Sequence, residues 1–98
     1  MAPAGDRAVR ISRRILDRYL LDVHSVLRDV LTVQIGSGSE LVNTGVDQEI
    51  RAAAAAGEGR LTLGLIEAVQ EARSRIAGNV PPLLAIEALL ARVAVTSR

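Results

Sequence analysis

From Leu16 to Val30 the apolar residues Leu16, Leu20, Val23, Leu27 and Val30 recur at alternating steps of four and three. That spacing holds them on one side of an α-helix, and Ile15, Tyr19, Val26, Leu31 and Val33 widen the stripe to a face. The opposite side carries Arg14, Arg18, Asp22, Ser25, Arg28, Asp29 and Thr32. Asp6 is placed to cap the start, and Gly36 to supply the left-handed residue that ends the helix. A helix of about 29 residues is some 43 Å long at ~1.5 Å per residue. In a chain of 98 residues so long a rod must be shared, part of it serving another element or another subunit.

Shorter helices follow. Ser37-Gly38-Ser39-Glu40 has capping-box spacing but room for one turn at most. Thr44-Gly45-Val46-Asp47 repeats the signature ahead of "RAAAAAG", which predicts a second helix from Val46 to Ala56, broken by Gly57-Glu58-Gly59. Thr62 is the expected cap of a third helix, with Leu61 and Ile66 as its hydrophobic staple and Leu65, Val69, Ala72 and Ile76 as its buried stripe. Glu67, Glu71 and Arg75 would form a solvated ladder on its outer side. Gly78-Asn79 ends it, and Pro82 opens a fourth helix whose inward residues are expected to be Leu83, Ile86, Leu90 and Val93. No strand pattern competes. The expected fold is all-α, a small bundle of four to five helices with one long N-terminal helix. Residues 1–6 read as a flexible or cut start, 7–95 as one domain and 96–98 as a tail.

Composition narrows the chemistry. The chain is 49% hydrophobic yet its one aromatic residue is Tyr19, so the core must be Leu, Ile, Val and Ala. That filling suits close helix packing and is poor material for stacking bases. Arg supplies all twelve basic positions and the net charge is +1, so no overall electrostatic footprint for nucleic acid exists. The Arg-only usage reads as a GC-rich genome rather than as function. The absence of Cys excludes disulfides, thiolate zinc sites and a Cys nucleophile. No apolar run is long enough to span a membrane, and the first residues lack a signal-peptide core, which makes the cytoplasm the expected location.

Catalytic constellations are mostly missing. "IGSGSELVN" lacks the Lys and the preceding strand of a phosphate-binding loop, so it reads as a joint with a cap. His24 is the only histidine and has no partner at metal-ligand spacing, which favours a packed or half-exposed structural role. Glu67 and Glu71 share their face with Arg75, which explains them without acid-base work. Arg7, Arg10, Arg13, Arg14 and Arg18 form a basic start that could touch phosphates, but Asp17 and Asp22 interrupt it. The residues describe a helical interaction module rather than an enzyme.

Two stretches also carry a resemblance. "LRDVLTVQIGSGSELVN" joins an Arg-Asp pair, a leucine-rich helix end, a glycine loop and "LVN"; "IEAVQEARSRIAGNVPPLLAIEALLARV" is a helix-break-helix. Over Ile11 to Val95 this resembles the C-terminal domain of bacterial DNA polymerase III clamp-loader subunits, most nearly the delta-prime branch. The resemblance implies a collar domain that holds subunits together while ATP-driven loading of a sliding clamp on primed DNA is carried out elsewhere. It implies partners among the other clamp-loader subunits (gamma/tau and delta), indirect contact with clamp and DNA, and weak self-association at most. No cofactor is expected here; ATP would be bound by N-terminal modules of partner subunits. The residues of the resembling pattern, and the candidates for interface roles, are Arg28, Asp29, Gly36, Asn43, Asn79, Pro82 and Glu87. Arg28 and Asp29 would fix helix neighbours by charge-assisted hydrogen bonds, and Glu87 would help set the register of the last helix. Pro81 departs from the pattern, which often has a capping Asn there. The alternatives are the equivalent gamma/tau domain, a small Arg-rich nucleic-acid-binding module using Arg7 to Arg18, and a small helical enzyme built around His24.

Overall fold

The structure, a computed structural model, describes the backbone of residues 4–96 and the side chains of residues 13–96. Its described elements are α1 (Ala4–Gln34), a single 3-10 turn (Thr44–Val46), α2 (Asp47–Ala56), α3 (Gly59–Ala77) and α4 (Pro82–Thr96). No strand occurs among the described residues, so the all-α expectation holds. Asp6 is not the cap of α1: the helix already includes Ala4, which puts Asp6 inside its first turn. Residues 1–3 and 97–98, and the side chains of Asp6, Arg7 and Arg10, lie outside the described residues.

The long helix is shared, as its length requires. The longest dimension of the molecule is 52 Å, close to the ~46 Å that 31 helical residues span. Along its N-terminal half, Leu20 joins Val69, Ala72 and Ile76 of α3 and Ala85 of α4, with Leu16, Leu27, Val80 and Leu89 packed around them. Ala72 and Ala85 are 0% exposed, small residues where the helices press closest. Along its C-terminal half, Val30 and Val33 pack with Leu41 of the loop and with Ile50 and Ala54 of α2. Each fully buried aliphatic side chain contributes about 1.5–3 kcal/mol, so two small clusters threaded on one helix hold the fold.

Two helix ends use the same device. Gly36 has φ +65°, Ser37 N–H donates to Thr32 O (3.3 Å) and Gly36 N–H to Val33 O (3.1 Å), a Schellman close. At the end of α3 the left-handed residue is Asn79, φ +68°, with Val80 N–H on Arg75 O (3.0 Å) and Asn79 N–H on Ile76 O (3.3 Å). Asn79 therefore stops α3 instead of reaching forward to cap α4, which begins at Pro82 as its fixed φ favours.

The N-terminal cap expectations fail. Ser37 to Glu40 forms no helical turn; Ser39 N–H bonds Ser37 Oγ at 3.2 Å instead. Thr44 starts the 3-10 turn, and α2 begins at Asp47 with no side-chain cap. Thr62 lies within α3, buried, its Oγ1 donating back to Glu58 O at 3.3 Å. With Thr62 inside the helix, the Leu61–Ile66 staple has no helix start to pin. On α4 the inward residues are Ala85 and Leu89, while Leu83 and Leu90 are 69% and 62% exposed. Nearly every residue of "PLLAIEALLARVAV" is apolar, so its pattern could not fix the phase.

Candidate assembly surface

Asp29 ties the chain together. It is 3% exposed at the C-terminal half of α1, where its Oδ1 accepts Val42 N–H (3.0 Å). Its Oδ2 accepts both Asn43 N–H (2.8 Å) and Asn43 Nδ2 (2.7 Å). Asn43 Nδ2 also donates to Ser25 Oγ at 3.1 Å, one turn earlier on α1. Beneath this knot Leu41 enters the second core cluster, so "LVN" combines an apolar anchor, two backbone donors and an amide. Burial pushes the Asp29 carboxyl upward, but the bonds from Val42 and Asn43, with the Arg28 charge, outweigh it and hold the group below its ordinary value. A carboxylate enclosed by these donors cannot reach a substrate. It is a joint.

Asn43 stands at the head of the 3-10 turn without capping it, because its side chain serves Asp29 and Ser25, and α2 follows Val46, whose side chain has no acceptor to offer. Arg28 stays exposed beside the knot, with a Coulombic influence on Asp29 and His24. Asp29 thus fixes a neighbour within this chain, a loop rather than a helix. A groove of about 530 Å³ runs along this side, with Arg18, Asp22, His24, Arg28, Ser39 and Glu40 on its walls. Charges of both signs alternate there, which suits a polar protein contact better than a concentrated anion or cation. His24 is half-buried against α3, its Nε2 3.2 Å from Gln70 Nε2. Burial, then Arg28 and Arg73, push its pKa down, so the ring is neutral at pH 7. Among the described residues no group of His, Asp and Glu could hold a metal.

The charges of α3 do more than ladder. Arg75 pairs with Glu71 as spaced, but Arg92 of α4 reaches both Glu71 (Nη1–Oε2 2.6 Å) and Glu67 (Nη2–Oε2 3.6 Å). These bonds set the register of α4 on α3. Glu87 does not: it is exposed and makes none of the described hydrogen bonds or ion pairs. Two further contacts had no local signal. Arg73 Nε and Nη2 bond Asp17 Oδ1 and Oδ2 (2.9 and 3.4 Å), 56 residues apart. Arg13 Nη1 donates to Ile76 O (2.8 Å), where a cation favours the C-terminal end of α3.

Two helices also leave large apolar side chains outside the bundle. On α1, Ile15, Tyr19 and Val23 are 52%, 65% and 46% exposed, the uncovered upstream half of the stripe that α2 and Leu41 cover downstream. On α4, Leu83, Leu84, Leu90 and Val95 all stand out. Scattered apolar residues are ordinary on a surface, but two helix faces of this kind mark contact surfaces. No described helix is long and apolar enough to cross a membrane.

No family model matches this sequence, and no solved structure matches it. It is similar to the Replication factor C small subunit of Methanothermobacter thermautotrophicus, 35% identical over 85 residues, which cover 85% of this chain and 26% of that protein. The chain thus spans about a quarter of the length of this curated relative. The similarity is to a replication factor C small subunit and does not single out the bacterial delta-prime branch.

Proposed function

We propose that this chain is a subunit-assembly domain of a replication clamp loader, joining neighbouring subunits through helix faces and doing no chemistry itself. The observation that carries the reading is the 35% identity to a replication factor C small subunit over 85 residues, nearly the whole bundle. The bare faces of α1 and α4 supply contact surface for it. Asp29 is enclosed by its donors, and Glu67 and Glu71, the two carboxylates that share a helix face, are both paired with Arg92.

Within this reading we favour the delta-prime branch of bacterial DNA polymerase III, on the helix-break-helix from Ala72 to Leu90. The partners are then gamma/tau and delta subunits in the cytoplasm, with ATP bound by their N-terminal modules and the clamp and DNA met only through the assembly. The nucleic-acid reading is weakened by Arg13, committed to Ile76 O, and by Arg18, placed 3.7 Å from Asp22. The test is size-exclusion chromatography with light scattering, on the chain alone and mixed with clamp-loader subunits of the genome that encodes it. Entry into a larger complex of defined mass is expected. Separate elution at every mixing ratio would overturn the proposal.

A further inference from the structure

We propose that Gly64 is a positioning residue for subunit assembly: its missing side chain lets the far end of α4 lie against α3, which sets where the exposed side chains Leu90 and Val95 stand. This inference rests on the assembly reading and adds to it the residue that aims one of its surfaces. Gly64 lies in the interior of α3, where glycine holds a helix less well than alanine does. It serves no turn there. Gly36, Gly38 and Gly45 have open space where a Cβ would go. A Cβ on Gly64 would stand 2.9 Å from Thr96 Cγ2, well inside the ~3.5–4.0 Å at which two carbons rest. No other described glycine is approached so closely.

Three points fix α4 on α3. Near the turn between the helices, Ala85 packs among Val69, Ala72 and Ile76, and both Ala72 and Ala85 are 0% exposed. Midway, Arg92 reaches across to Glu67 and Glu71. At the open end Thr96 sits over Gly64. The arginine clamp has several rotatable bonds and follows a small shift of its helix. The two ends are built of short side chains and cannot. Ala85 is therefore the pivot of α4, and Gly64 the rest on which its far end lies.

An alanine at position 64 has to move Thr96 by roughly 0.6–1.1 Å to restore ordinary contact. Thr96 is β-branched and stiff about χ1, so the turn that carries it lifts. With the pivot at Ala85, the displacement is largest at Val95 and smaller at Leu90. Those side chains are 63% and 62% exposed, and they move relative to any subunit that meets them.

Two readouts on Gly64→Ala, Thr96→Ala and the double variant test the proposal. The first is thermal melting by circular dichroism. At an open helix position Gly→Ala raises Tm by a few degrees; here the contact with Thr96 should outweigh that gain and lower Tm by about 5 °C. In the Thr96→Ala background, where Cγ2 is gone, the same change should raise Tm. The second is titration with clamp-loader subunits followed by light scattering. Gly64→Ala should bind roughly tenfold more weakly with its helical circular dichroism unchanged, and the double variant should bind as Thr96→Ala does. A rise in Tm for Gly64→Ala in the wild-type background would overturn the inference. So would a fall in Tm with binding unchanged, which makes Gly64 a packing residue only and leaves the assembly reading standing. A wild-type chain that joins no subunit overturns the assembly reading, and the role of Gly64 with it, whatever the melting shows.

Discussion

Replacing Asp29 by Ala should unfasten the loop between α1 and α2. The side chain accepts Val42 N–H, Asn43 N–H and Asn43 Nδ2 at 2.7–3.0 Å from a position 3% exposed. A buried donor left without its partner costs about 1–3 kcal/mol. The Val42 side chain is 77% exposed, so water can reach part of the knot and the lower end of that range applies to each donor. The expected loss is about 3 kcal/mol, a large share of the ~5–15 kcal/mol that holds a domain of this size. With a urea slope of ~1.5 kcal/mol per molar, the unfolding midpoint should fall by about 2 M. The assay is urea denaturation followed by far-UV circular dichroism, paired with hydrogen exchange at the Val42 and Asn43 amides. Both amides should lose protection before α3 does. Asp29→Asn should cost somewhat less, since its amide keeps one acceptor but turns a donor towards a donor. A midpoint shift worth less than ~0.5 kcal/mol in Asp29→Ala, in the range of an ordinary surface change, would refute the reasoning.

The same joint fixes a pH dependence. Asp29 is held below its ordinary value in the folded chain, so its contribution is complete above the unfolded carboxylate pKa of ~3.9 and drains away as pH falls through the folded one; acid titrations of stability should lose this component in Asp29→Asn. His24 has the opposite consequence: its folded pKa is lowered, so the unfolded chain binds the proton first, and stability should drop as pH falls below ~6.5, an effect absent in His24→Gln. Gly36 and Asn79 sit at φ +65° and +68°. Gly36→Ala should cost about 1 kcal/mol by thermal melting, whereas Asn79→Gly should be neutral or slightly stabilising. Arg92→Ala removes exposed pairs to Glu67 and Glu71. It should cost about 1 kcal/mol at low salt and less at high salt.

Much of the backbone was legible because its signals are local. The α1 stripe, Gly36 as its stop, Gly78-Asn79 as the stop of α3 and Pro82 at the head of α4 each follow from one or two residues. Periodicity marks a face as apolar without saying what covers it, so the pattern could not divide α1 into Leu20 and Val30 (buried) and Ile15 and Tyr19 (bare). Thr62 misled because a hydroxyl that caps a helix in one setting bonds back within it in another; here burial against the bundle decided. The contacts that orient the helices (Asp17 with Arg73, Arg13 with Ile76 O, Arg92 with two glutamates) join distant residues and leave no spacing to read. Asp29 and Asn43 were singled out by resemblance. The structure supplies the physical reason they occur together: the bond between them is where the loop returns to the long helix.

The most direct test of assembly through bare helix faces is light scattering of the chain mixed with clamp-loader subunits, run beside Tyr19→Glu and Leu83→Glu. Both residues are more than half exposed, so the variants should fold as wild type does. The account predicts a larger complex of defined mass with the wild type, and its loss in at least one variant whose circular dichroism is unchanged. No complex with the wild type, or a complex equally robust in both variants, would contradict it.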